Sequence, residues 1–327
     1  MDGAGSGPAV RARLAAVLLP QVPGDVFTTA DALRSGVTRR QLEWAVSRGR
    51  LHRLQPGVFC EEAGWAVADP TSRAVLAARA VALARRSPAR YAFSHVSAAA
   101  LHGWPVSEPL ADRVWLTVEP GGYTRREDRL VQQVAPLGIE DVEVASGLPC
   151  TSPARTVADC LRHLPAQEAV VLGDAALRSR SVEPGSVAAV LERPWPRAAA
   201  ANELLPLLDG KRESGLESRS AVVMHQYGLP RPQSQVRIVG PDGRVVARVD
   251  FAWLDHGVVG EADGLVKYGD ARTVAEEKQR EARLQALGLV VVRWTARHLH
   301  GAPPLLIAQL RAAFEQGDPA RFRGRVA

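Results

Sequence analysis

Two apolar, β-branched runs, residues 245–254 and 258–263, flank the tripeptide Asp255-His256-Gly257. Runs of this kind around a short Gly-containing connection predict a hairpin. With the turn centred between Asp255 and His256, Asp250 and Glu261 are equally far from it and fall opposite each other on neighbouring strands. Side chains alternate faces along a strand, so Asp263 shares the face of Glu261. Three carboxylates therefore meet on one patch, where like charges directly opposite each other are destabilising. The flanking Val249, Phe251, Val258 and Val259 mark buried strands, where acids are costly without a partner.

The same patterning predicts the rest of the last third. Residues 202–208 read as a helix. A second helical segment, RESGLESRSAVVMHQYGL, ends at Gly228 and carries Glu213 and Glu217 four residues apart. Residues 273–287 form a helix of alternating charge stopped by Gly288, followed by a buried strand over 289–294. Arg293 in that strand is placed to reach back toward the acids. A helix over 304–314 closes the region, and the tail from Gly317 is expected to be loose.

At the other end, residues 10–19 predict a short helix stopped by Pro20. A second helix spans 30–35, with Thr29 as its expected N-cap. Gly36 supplies a turn, Thr38 caps again, and residues 39–48 form a third helix with Leu42, Trp44 and Val46 on its apolar side. Gly49 ends it. Two short strands, 51–54 and 57–60, then surround Pro56-Gly57. Helix, turn, helix and β-wing is the winged helix-turn-helix order, in which the second helix of the pair enters the DNA major groove. The chemistry agrees: Arg39, Arg40, Arg48, Arg50 and Arg53 lie here, with Glu43 the one acid from 39 to 53. Arginine suits both phosphates and guanine edges. Thr38, Arg39, Arg40 and Gln41 begin the helix that would reach the bases.

The middle is less regular. Helices are predicted over 71–86, 91–102, 153–164 and 167–179, and strands over 113–118, 130–134 and 142–145. PWPR at 194–197 and the alanine run after it suggest a boundary near residue 200. His95 and His102 share a face of a predicted helix, but no third ligand lies close by, and they are read as packing residues. Asp159 and Asp174 sit among ordinary helical residues and receive no role. Phosphate-cradling glycine loops, GxSxG and HExxH are missing, which excludes the common nucleotide-hydrolysis and serine chemistries.

Composition changes this picture little. The chain of 327 residues is 46% hydrophobic and 23% charged, ordinary for a folded multi-domain protein. A formal net charge of +6 favours anionic partners, nucleic acid first. Cys60, Cys150 and Cys160 form an odd set without metal spacing, and no run reaches the ~20 apolar residues that span a membrane. A reduced, cytoplasmic location with no membrane contact is expected. The lysines are few, Lys211, Lys267 and Lys278, and all lie in the last third. Lys267, beside the carboxylates, could polarise a phosphate.

Two resemblances add to this reading. A helix with Glu217, a strand with Asp250-Phe251, a strand with Glu261-x-Asp263-Gly264, a basic helix and VVVRW together resemble the PD-(D/E)XK nucleases, in their very-short-patch-repair-endonuclease-like branch. The resemblance implies catalytic roles for Glu217, Asp250, Glu261, Asp263 and Lys267. It also implies Mg²⁺ or Mn²⁺ held by Asp250, Glu261 and Asp263, a hard ion suited to oxygen ligands. The position two residues after Glu261, a lysine in that superfamily, is Asp263 here. TTADALRSGVTRRQLEWAVSRGRLHRLQPGVF, SHVSAAALHGWPV and SPARTVADCLRHL resemble the abortive-infection type IV antitoxin family.

The sequence thus predicts an α/β, multi-domain chain. Its expected parts are a winged helix-turn-helix (residues 1–60), an antitoxin-like α+β scaffold (61–200) and a restriction-endonuclease-like α/β sandwich (201–327). DNA is the expected partner. A homodimer and a toxin or operon partner remain open. Two functions stay in view: a Mg²⁺-dependent DNA endonuclease, and a non-catalytic antitoxin-like transcriptional regulator in which the nuclease fold is structural.

Overall fold

The computed structural model describes residues 25–85, 90–264 and 271–327, with side chains described throughout except at 271–276. The predicted helix over 10–19 lies outside the described residues. The chain divides into two compact units, Met1–Asp159 and Cys160–Ala327.

The first unit opens with β1 (Phe27–Thr28), α1 (Thr29–Arg34), α2 (Arg39–Ser47), β2 (Leu51–Gln55) and β3 (Val58–Glu61), the strands ordered β1-β3-β2. The cap of α1 is Thr28 rather than Thr29. Asp31 completes a capping box with it, Thr28 Oγ1 accepting from Asp31 N at 3.1 Å and the Asp31 carboxylate from Thr28 N at 2.8 Å. Thr29 N instead donates to the Gly57 carbonyl at 2.8 Å, tying the helix to the wing turn. Gly57 takes φ +76 there, a conformation that glycine adopts without strain. Phe27, Ala32, Val37, Leu42, Ala45, Leu51 and Phe59 make the small core beneath.

Next come α3 (Glu62–Val67), which the sequence did not announce, and α4 (Pro70–Ala84), begun by Asp69 accepting from Ser72 N at 3.0 Å. The helix predicted over 91–102 is a strand followed by a shorter helix, β4 (Tyr91–Phe93) and α5 (His95–Leu101). Aromatic Tyr91 and Phe93 favour a strand, and β4 is hydrogen-bonded on both sides. After α6 (Glu108–Ala111) follow β5 (Val114–Val118), β6 (Arg125–Arg126), β7 (Leu130–Val134), β8 (Val142–Ala145) and β9 (Leu148–Thr151). They form a mixed sheet in the order β6-β7-β5-β4-β9-β8. The helix α7 (Pro153–His163) runs across the boundary between the units.

The second unit starts with α8 (Ala166–Arg178), α9 (Pro184–Leu191) and α10 (Ala198–Leu204). The helix predicted over 202–208 begins four residues earlier and tightens into a 3₁₀ turn at Leu205–Leu207, because Pro206 cannot donate an α-helical hydrogen bond. Glu213 precedes α11 (Gly215–Gln226) instead of sharing its face with Glu217, since Ser214 is the N-cap and accepts from Glu217 N at 3.1 Å. The sheet follows: β10 (Gln233–Val239), β11 (Val245–Trp253), β12 (Val258–Asp263), α12 (Ala271–Ala286) and β13 (Val290–Thr295). After it come α13 (Ala296–Gly301), α14 (Pro303–Gln316) and β14 (Arg325–Val326). The tail is therefore not loose: β14 pairs antiparallel with β10.

The strand order is β13-β12-β11-β10-β14, antiparallel except for the β12–β13 pair. Phe251, Trp253, Val258 and Trp294 pack with Met224, Leu299 and Leu310 on one face. Val236, Ile238, Val249 and Val259 pack with Leu284 and Leu287 of α12 on the other. A sheet covered by helices on both faces follows from strands whose alternate positions are both apolar. The acids interrupt that rule at one end of the sheet.

Candidate functional site

In the winged helix, the Thr38 cap is a full box: Gln41 Oε1 accepts from Thr38 N at 2.8 Å, and Thr38 Oγ1 accepts from Gln41 N at 3.3 Å. Both side chains therefore build the helix terminus, which leaves the Gln41 amide nitrogen as the group free to meet a base. Arg39 and Arg40 occupy the first turn of α2, and Arg48 caps its other end. Arg50 and Arg53 follow on the wing, where the Arg53 guanidinium lies 5.7 Å over the Phe59 ring. All five arginines are exposed, and none makes an ion pair with a described acid. Backbone geometry thus presents an uncompensated positive surface around the predicted recognition helix.

The second cluster lies in the other unit. The β11–β12 register pairs Phe251 with Gly260 and Trp253 with Val258 around Gly257, so Asp250 and Glu261 stand opposite each other as the hairpin symmetry predicts. Glu217, at the third position of α11, and Glu261 are both 4% exposed. Glu217 sits where the positive end of the helix dipole favours a carboxylate. One Gln235 side chain ties two of the acids, its Nε2 donating to Glu217 at 2.8 Å and to Asp250 Oδ1 at 3.0 Å. Asp250 Oδ2 accepts from Ala262 N at 2.9 Å. Gln235 pays for this position with a left-handed backbone, φ +56 in the middle of a strand.

Cations hold the other two acids. Arg293 donates from Nε and Nη2 to the two oxygens of Asp263, at 2.9 Å each, and lies 3.6 Å from Glu261. Arg280 of α12 pairs with Glu261. Burial pushes the Asp250 carboxyl above its ordinary pKa range, helped by the charge of Glu217. Burial also raises Glu261, against the pull of Arg280 and Arg293. The bidentate bond to Asp263 holds the Arg293 guanidinium still more firmly charged.

Sequence reasoning placed Glu217, Asp250, Glu261 and Asp263 together, and they are together. Lys267 lies outside the described residues. Gln235 and Arg280 were missed as site residues. A signal for Gln235 existed: a turn at Gly240-Pro241-Asp242-Gly243, centred between Asp242 and Gly243, puts Gln235 opposite Asp250, and the register pairs the adjacent Ser234 with Phe251. Arg280 had none, because a helix of alternating charge does not say which arginine turns inward.

Elsewhere, His95 is buried against Trp115 with ring centroids 4.4 Å apart, and His102 contacts the Thr151 carbonyl at 2.8 Å. Asp174 is ion-paired to Arg212 at 2.8 Å, and Asp159 to Arg155 at 3.0 Å. Cys60, Cys150 and Cys160 are buried and form no disulfide among the described residues. Among the described residues, no helix is long and apolar enough to cross a membrane.

Residues 24–61 match the family model described as "Transcriptional regulator, AbiEi antitoxin", and residues 91–207 match "AbiEi antitoxin C-terminal domain". Two uncharacterized Mycobacterium tuberculosis proteins, Rv2248 of strain H37Rv and MT2308 of strain CDC 1551, are each 32% identical over 291 residues. That alignment covers 88% of this chain and all of either relative. The chain belongs to the family of these mycobacterial proteins, and two segments of its N-terminal two-thirds match AbiEi antitoxin models.

Proposed function

We propose that the protein is a DNA-binding transcriptional regulator of the antitoxin type, with α2 in the major groove and the β2–β3 wing on the backbone. The observation that carries this reading is the set of exposed arginines without acid partners on α2 and the wing, within the match to an antitoxin regulator model. Such a surface binds phosphates by releasing counterions, and Arg39 and Arg40 stand where base edges come within reach. A toxin is the protein partner this reading implies. Gel shift of the chain on its own promoter region, at stepped salt, tests it. Binding that falls steeply with salt and is lost when Arg39, Arg40 and Arg50 are changed to Ala supports the reading. Binding indifferent to those changes rejects it.

A second reading is favoured by one observation, the burial of Asp250 and Glu261 against their own charge. This reading takes the helix–strand–strand–strand–helix–strand order of the second unit as that of a PD-(D/E)XK nuclease. The donors are all hard oxygens, which fits Mg²⁺ or Mn²⁺. Asp250, Glu261 and Asp263 would hold the ion, with Glu217 and Gln235 fixing Asp250 from behind. The ion would supply Lewis-acid stabilisation of the phosphodiester during hydrolysis. Arg280 and Arg293 already neutralise Glu261 and Asp263, so the site suits the regulator reading equally well without a metal. Plasmid nicking in Mg²⁺ or Mn²⁺, beside an Asp250→Ala, Glu261→Ala double variant, separates the two. Metal-dependent cutting lost in the variant establishes the nuclease. Equal behaviour of both proteins leaves the carboxylates a structural device.

A further inference from the structure

A cavity of about 900 Å³ lies within the first unit, walled by β2, α4 and the β5–β7 side of the sheet. Its size falls in the range of small-molecule sites. Five arginines line it, Arg53, Arg73, Arg85, Arg125 and Arg129, against the acids Glu108, Asp112 and Glu127. Glu108 is taken by Arg73 at 3.0 Å and Glu127 by Arg125. Arg53, Arg85 and Arg129 make no ion pair with a described acid, so the wall keeps a surplus of positive charge.

Arg85 is the telling residue. Its guanidinium lies 4.4 Å over the Tyr91 ring and donates from Nη1 to Gln132 Oε1 at 3.2 Å. Gln132 is itself fixed, donating to the Tyr123 carbonyl at 2.8 Å. The Arg85 Nε is buried and has no hydrogen-bond partner among the described residues. A buried guanidinium N–H without an acceptor carries a cost that an anion in the cavity removes. Its planar fork matches phosphate oxygens. Tyr123, 65% exposed, lines the same cavity.

We propose that this cavity binds a small phosphorylated ligand of mononucleotide size, its phosphate on Arg85 and Arg129. The site also touches the wing. His52 of β2 stacks on Trp65 of α3, with centroids 4.2 Å apart and planes within 15°, and Arg73 lies 5.4 Å over the same Trp65 ring. A ligand there contacts the strand that carries Arg53, so it biases the wing. That consequence rests on the regulator reading, whereas occupancy of the cavity does not.

The test is calorimetric titration of the full chain, without DNA, with AMP, inorganic pyrophosphate and adenosine. AMP and pyrophosphate are expected to bind and adenosine to bind far more weakly. Arg85→Gln should weaken AMP roughly tenfold or more, the worth of a charge-assisted hydrogen bond. Arg129→Ala, at an exposed position, should weaken it without touching the fold, and Arg39→Ala should leave it unchanged. A short DNA duplex run in parallel separates the two sources of phosphate. Duplex binding that depends on Arg85, with no binding of AMP or pyrophosphate, assigns the cavity to the DNA path and overturns the proposal. So does adenosine binding as tightly as AMP, or AMP binding undiminished in folded Arg85→Gln and Arg129→Ala. AMP binding in a chain that fails to shift DNA keeps this site and rejects the regulator.

Discussion

Arg293 stands directly beside Glu261 in the parallel β12–β13 register, yet its guanidinium passes that neighbour to grip both oxygens of Asp263 at 2.9 Å. Glu261 is left to Arg280, with Arg293 3.6 Å away. In the patch, two acids are thus held by cations and two by the Gln235 amide. Replacing Arg293 with Met removes the larger share of that compensation. The side chain is about one-quarter exposed (23%), so solvent softens the loss. Urea unfolding at pH 7 should show a loss of about 2 kcal/mol, below the range for a fully buried pair. Much of it should be recovered as the pH is lowered and the acids protonate.

Asp250 gives a pH dependence with a definite sign. Its folded-state carboxyl titrates above its unfolded value, chiefly through burial. The native state therefore binds a proton more readily than the unfolded chain, and the carboxyl costs stability as pH rises above the unfolded value near 4. Asp250→Asn removes that cost and keeps an oxygen to accept from Ala262 N, while Gln235 Nε2 retains Glu217 as its acceptor. The variant should be about 1 kcal/mol more stable than the parent at pH 7, with the gain vanishing toward pH 4. A gain that grows on acidification would contradict this account.

At the winged helix, stability and binding should separate. Thr38→Ala breaks the capping box and should cost about 1 kcal/mol in thermal or urea unfolding. Arg39→Ala and Arg40→Ala touch no described partner and should leave stability within about 0.5 kcal/mol. If each reaches a phosphate, each should lower the salt slope of DNA binding by roughly one.

The first unit holds its own buried charge. Arg155, fully buried, donates to Asp159 at 3.0 Å, Asp141 at 3.1 Å and the Pro136 carbonyl at 3.1 Å. Arg155→Met takes the cation away from two buried carboxylates and should cost about 3–5 kcal/mol, measured by denaturant unfolding. The i, i+4 spacing of Arg155 and Asp159 was visible in the sequence, but without knowing that the helix face is buried it reads as an ordinary surface pair.

That contrast explains what the chain discloses in one dimension. Hairpin symmetry is local: a turn at Gly257 fixes which residues face each other, so Asp250, Glu261 and Asp263 were legible together. Capping is local too, though Thr28 and Thr29 compete for one role, and Asp31 three residues after Thr28 decides between them. The stretch from Tyr91 to Phe93 was misjudged because its strand character comes from two partners distant in sequence, β5 and β9. Arg280, and the cavity around Arg85, likewise depend on which elements pack together, and no periodicity carries that.

The pairing of β14 on β10 bears on how copies of this chain behave toward one another. Ile238 and Val239 would otherwise offer their backbone groups on an open edge, the template on which strands of separate molecules add and grow into aggregates. Arg325 and Val326 occupy that edge with a short strand, and a charged residue stands on it. Fusions or truncations that lift these residues away should promote self-association through the last sheet, irrespective of anything that happens at the carboxylates or the winged helix.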